Sequence, residues 1–247
     1  MSPDGQHILV HLRAVEAQRR RRQADAVLGA RVQAVKRFQH ARFTRTYVDL
    51  LSQPRYGRAT RFFLDELYGP HDFAQRDEQF ARVVPALVRL FPHEIVATVR
   101  CLAELHALSE SLDSAMAMAM PAGDLDRAGY VAAWQAVGQV EQRERQIALM
   151  LEIGQALDRY TRKPLLRHSL RMMRLLAQAA GLAALQGFLE SGFDTFREMR
   201  GAEDFLRTVA TRERALAAAL FAGDTVAQVT PGASGQGSPA PQLGQLP

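Results

Sequence analysis

The chain is short of several things, and each shortage removes a class of answer. It has a single cysteine, Cys101, so it can build neither an internal disulfide nor a cysteine-ligated metal cluster. That fits a reducing compartment. Valine, isoleucine and threonine do not gather into runs, and no stretch alternates apolar and polar residues long enough for a half-buried strand. No window approaches the ~18 uninterrupted apolar residues of a membrane span. The opening MSPDGQHILVHLRAVEAQRRRR places its few apolar residues before its charges, the reverse of a signal peptide. These features predict a soluble, cytoplasmic protein with no membrane partner. Lysine is also scarce, at 2 of the 31 basic residues, an arginine bias typical of GC-rich bacterial coding.

The familiar catalytic signatures are missing as well. The sequence contains no GxxxxGK[ST], no GxGxxG after a strand, no HExxH, no CxxC and no GxSxG. It lacks the Glu-x-x-His pairs of carboxylate-bridged metal bundles. No nucleophile, base and orienting group can be assembled. The expectation is therefore a non-catalytic protein, with no catalytic residues and no metal site. His7 and His11 share a helical face but make an incomplete metal site at a chain end.

What the chain does have is helix formers. Hydrophobic residues make up 47% of it, and Ala, Leu, Arg, Glu and Gln dominate, which predicts an all-α fold. The reading is an irregular bundle of about seven helices in three parts. Residues 1–52 form a long, protruding, basic N-terminal helix, or two collinear ones over 6–52, residues 53–222 the bundle core, and residues 223–247 a disordered tail rich in Gly, Ser and Pro. Residues 1–61 carry 13 basic against 4 acidic side chains, so the high pI belongs to that segment.

Within the core, Gly69-Pro70 ends one helix, and Asp72 with Gln75 caps the next. Pro85 predicts a kink or break. A helix over 93–119 follows, then a long one over 125–160 capped by Asp124, one opened by Pro164, and a last one over 201–221.

Three candidate sites emerge. Arg19, Arg20, Arg21 and Arg22 put charge on every face of their helix, either as a solvated surface or as a contact for nucleic-acid phosphates. The stripe Leu28, Val32, Val35, Phe38, Tyr47, Leu50 and Leu51 can pack on the chain's own body or on a second copy, giving a homo-oligomer. His106 lies on the apolar stripe of its helix, in LAELHALSESLD. That string resembles the segment carrying the proximal haem histidine of globins. The resemblance implies His106 as axial ligand, with Phe62 or Phe63 packed on the porphyrin. More than a hundred helical residues follow His106 and no distal histidine is evident, so a core histidine with a bonded second nitrogen is the preferred reading.

The strings FFLDELYGPHDFAQRDEQFARVVPALVRLFP, ALSESLD and GLAALQGFLESGFDTFREMRGAEDFL resemble an uncharacterised family of all-helical proteobacterial proteins. The resemblance covers about a third of the chain and implies a cytosolic helical protein without naming a ligand. Within the motif, Arg76 and Asp77 are expected to form a buried pair beside the Gly-Pro corner. The sequence thus favours a protein–protein interaction or regulatory module. A helical carrier of haem or another apolar ligand, with Phe62, Phe63, Phe80, Phe91 and His106 around the pocket, is the first alternative. A nucleic-acid-associated protein is the second.

Overall fold

The computed structural model describes residues 2–67, 69, 73–121, 124–223 and 241–247. Among these, all regular structure is helical: eleven α-helices, one π turn and one 3-10 turn. The count exceeds the expected seven because three of the anticipated long helices are broken by local backbone chemistry.

The first break is at Asp25. Helix α1 (Pro3–Ala24) is capped by the Ser2 side chain, and α2 (Ala26–Thr46) by Asp25, whose carboxylate accepts from Leu28 N at 3.0 Å. Asp25 also closes α1 through its own N–H on the Arg21 carbonyl. One residue thus ends a helix and starts another, because an extended Asp satisfies the first donors of a new turn. The short α3 (Val48–Ser52) follows. The second break is at Gly138 and Gln139, at φ 62° and 58°. It divides the expected 125–160 helix into α7 (Arg127–Val137), capped by Asp126 rather than Asp124, and α8 (Val140–Thr161). The third is at Gly181, also at positive φ, between α9 (Pro164–Ala179) and α10 (Ala183–Met199).

Pro85 had the opposite outcome. Helix α5 (Ala74–Leu90) continues through it, with the proline on the exposed side where solvent can take over the carbonyl it frees. Helix α4 (Gly57–Phe62) runs into a π turn, Phe63–Leu67. Asp72 lies outside the described residues, as does Pro70. Helix α6 (His93–Ala119) spans the range read from sequence, and α11 (Glu203–Phe221) begins two residues later than expected.

Helix α6 is the axis of the assembly. Its Val96 and Ala103 pack with Ile8 and Leu12 of α1 and Val84 of α5. Its Leu105 joins the core formed by α3, α4, α8, α10 and α11. Its Met116 and Ala117 join Leu28, Val32, Val35 and Phe38 of α2 with α7 and α11. The N-terminal segment therefore does not protrude: Ile8 and Val15 are 0% and 1% exposed. The stripe proposed for a second copy is occupied by the chain itself. Residues 241–247 also depart from the disordered-tail expectation, with Leu243 and Leu246 buried against α2 and α11 and the Leu246 carbonyl accepting from Arg45. Residues 224–240 of that tail lie outside the described residues.

Candidate functional site

Helices α5, α6 and α10 do not close completely. They leave a cavity of about 340 Å³, flanked also by α1, α2 and α9. Its walls are apolar, with Phe80 and Leu87 from α5, Val99 and Leu102 from α6, and Leu185 and Phe188 from α10. The rim is apolar too. Leu90 is 69% exposed, and Phe91, Met173 and Leu189 are partly exposed beside it.

The polar lining includes the charged side chains Lys36, Arg76, Asp77, Glu110 and Asp113, together with His106, Gln39, Ser109, Gln146 and Gln186. Asp77, in the first turn of α5, is buried and shared. Its Oδ2 lies 2.9 Å from His106 Nε2 and accepts from Arg19 Nη2 at 2.7 Å. Burial pushes the Asp77 carboxyl up, but His106, Arg19 and Arg76 outweigh it and hold the group below its ordinary value. An ionised carboxylate only accepts, so His106 Nε2 carries the proton.

Glu110, one turn further along α6, accepts from Arg22 on one oxygen and Lys36 on the other. Burial opposes its ionisation, yet the two cations bring its carboxyl down to about 2. Asp113 behaves differently. Burial pushes it up despite Lys36, and Gln39 donates to it at 3.2 Å.

Arg76 sits between two rings, its guanidinium carbon 4.0 Å from the centre of Phe73 and 4.5 Å from that of Phe188. Among the described residues its one hydrogen bond goes to the Glu66 carbonyl, at 2.9 Å. The carboxylates of Asp77 and Glu66 stand 4.0 and 3.9 Å away. The expected Arg76–Asp77 pair is thus a loose contact, and the tight partners of Asp77 come from α1 and α6. Burial lowers the Arg76 pKa from its ordinary value, though these carboxylates oppose that. No carboxylate oxygen comes nearer to the guanidinium than 3.9 Å, whereas Lys36 is bonded directly by Glu110.

The sequence candidates are therefore sorted as follows. His106 lines the cavity, with Nε2 bonded to Asp77. Phe80 and Phe91 line it as well, whereas Phe62 and Phe63 do not. Phe62 stacks on Phe188 at 5.6 Å, and Phe63 packs on Phe196 and Phe205. His106, Phe62 and Phe63 therefore do not come together around one space for a porphyrin.

The arginine block does not act as one patch. Arg19 and Arg22 point inward to Asp77 and Glu110, Arg20 pairs with Glu16 at 3.5 Å, and Arg21 reaches the Met118 sulfur at 3.0 Å. The missed signal was periodicity. Ile8, Leu12, Val15, Arg19 and Arg22 follow one another at steps of four and three, so both arginines continue the buried face of α1. His7 is exposed and His11 half-buried, and no cluster of three or more metal-ligating side chains occurs among the described residues.

A family profile, Domain of unknown function (DUF8198), matches residues 18–227, most of the chain. The chain belongs to this family. The DUF8198 match takes in Lys36, Arg76, Asp77, His106, Glu110 and Asp113 of the cavity lining and its apolar walls from α5, α6 and α10. The chain matches no curated protein and no solved structure.

Proposed function

We propose that the protein binds an amphipathic small molecule in the α5/α6/α10 cavity, as a carrier or ligand-responsive module and not as an enzyme. The observation that carries this reading is the cavity itself. Its volume falls in the range of pockets that enclose small ligands, its walls and rim are apolar, and its charged groups gather at one end. An apolar chain would lie along Phe80, Leu87, Val99 and Phe188. The head group would meet Arg76 beside the Asp77–His106 pair. Arg76 has N–H donors to spare in a fork that suits a carboxylate, so the favoured class is a long-chain carboxylic acid.

Calorimetric titration of the full chain with dodecanoate, dodecanol and dodecyltrimethylammonium tests this reading. Dodecanoate is expected to bind at least tenfold more tightly than the alcohol, and the cation to bind weakest. Equal affinity for acid and alcohol would remove the head-group role of Arg76 and leave the cavity reading intact. No binding of any of the three, with Ala177→Trp at the rim behaving like wild type, would defeat the cavity reading itself.

A second reading, an interaction module, draws support from α9. This helix turns Leu165, Met172, Leu175 and Leu176 to solvent, and contiguous exposed apolar surface marks contact sites. Light scattering of wild type and a Leu175→Glu/Leu176→Glu variant separates the two. A change in mass between them would favour interaction, and unchanged monomers would leave ligand binding as the function.

A further inference from the structure

Away from the cavity, two arginines are buried almost completely. Arg42 of α2 and Arg143 of α8 are each 5% exposed. Arg42 is partly compensated, since its Nη1 donates to Glu213 Oε1 at 2.6 Å and its guanidinium stacks over Phe43. Tyr47 donates to that same Glu213 oxygen. Arg143 is poorly compensated. It lies 3.9 Å over the Trp134 ring, and its hydrogen bond among the described residues is a long one to Gln146 Oε1, at 3.4 Å. Burial pushes the Arg143 pKa down, with Arg42 adding repulsion and Asp113 and Tyr130 opposing it.

The unmet groups share a chemistry and a place. Arg42 Nε, Arg143 Nε, Arg143 Nη2 and Trp134 Nε1 are buried with no acceptor among the described residues. All three residues line one cavity of about 50 Å³ between α2, α7, α8 and α11. Every buried side-chain atom of that lining left without a partner is an N–H donor. A water molecule would accept from two of them, but it brings two protons of its own that need acceptors. The space is too small for an organic ligand. The nearby carboxylates do not meet the need, because Glu213 is already shared by Arg42 and Tyr47, and Asp113 is bonded by Gln39.

We infer that this cavity holds a monovalent inorganic anion of halide size, bound by Arg143, Arg42 and the Trp134 indole N–H as a structural counter-ion joining α2, α7 and α8. The site adjoins the amphipath cavity through Gln39 and Gln146, which line both, but its unmet donors belong to the smaller one.

The test is anomalous diffraction from crystals of the full chain grown with bromide as the only halide. An anomalous peak within hydrogen-bond distance of Arg143 Nη2 and Trp134 Nε1 is expected. A water there, with no anomalous signal, would overturn the inference. In solution, exchanging chloride for glutamate at constant ionic strength should lower the wild-type melting temperature by a few degrees. The loss should be much smaller in Arg143→Met, whose apolar side chain removes the need for a counter-ion. Equal losses in the two proteins would count against a specific site.

Discussion

Arg22 of α1 and Lys36 of α2 grip opposite oxygens of the Glu110 carboxylate, so a single acidic side chain pins two helices to α6. The pKa of that carboxyl, about 2 against an ordinary 4.5, makes the tether pH-dependent. A group held below its unfolded pKa stabilises the fold above that unfolded value and loses the contribution as pH falls toward the folded one. The Glu110 term should therefore be complete above about pH 5 and fade between about pH 4.5 and 2. Its size is of order 3 kcal/mol. Urea denaturation of wild type and Glu110→Gln across this range should show a gap of about that size at neutral pH, closing in acid. A gap independent of pH would show that Glu110 acts by shape alone.

Asp77 joins three helices, since it sits on α5 and binds Arg19 of α1 and His106 of α6. Asp77→Ala removes the carboxylate that Arg19 and His106 share and that Arg76 approaches. It should cost about 3 kcal/mol and lower the melting temperature by several degrees. His106→Gln, which keeps a donor near Asp77, should cost less than half as much. A melting temperature unchanged in Asp77→Ala would contradict the buried network.

Gln139 occupies the left-handed region at φ 58° in the break between α7 and α8, with its side chain exposed. A residue with a Cβ pays about 1–2 kcal/mol for that conformation, and glycine does not. Gln139→Gly should raise stability by about 0.5–1 kcal/mol in a denaturant titration, after the entropy glycine adds to the unfolded chain. Destabilisation would mean that the side chain contributes more than the backbone strain costs.

Gly57 opens α4 under the end of α3. A Cβ there would lie 2.6 Å from the Leu51 carbonyl oxygen, a backbone atom that cannot rotate away. Gly57→Ala should therefore destabilise by about 2 kcal/mol or more, although alanine is the better helix former. A melting temperature equal to wild type would refute the close approach.

The helical class and the span of α6 were legible because 3.6-residue periodicity and Phe-Pro and Met-Pro boundaries are local signals. The breaks at Asp25 and Gln139 were not. Asp and Gln both occur inside helices, so neither residue type by itself marks a break in the sequence. The importance of His106 could be read from its place on an apolar stripe, but its partner Asp77 comes from another helix. Long-range pairing of that kind leaves no spacing to read. Arg19 and Arg22 were hidden by their neighbours, because four consecutive arginines look like a solvated block until the stripe from Ile8 is extended through them. Residues 241–247 were obscured by composition, since two leucines in a Gly/Pro-rich segment carry no periodicity.

The placement of α1 and α2 against α6 bears on how the chain is made. During synthesis the first two helices emerge with Ile8, Val15, Val32 and Val35 uncovered, and with Arg22 and Lys36 lacking Glu110, until α5 and α6 follow. The segment behaves as a waiting half of a core, completed only from downstream. Severing the chain after residue 52 would not release an autonomous basic arm. It would leave one fragment with Arg22 and Lys36 parted from Glu110 on an apolar face, and the other with Asp77 and Glu110 stranded beneath an open groove.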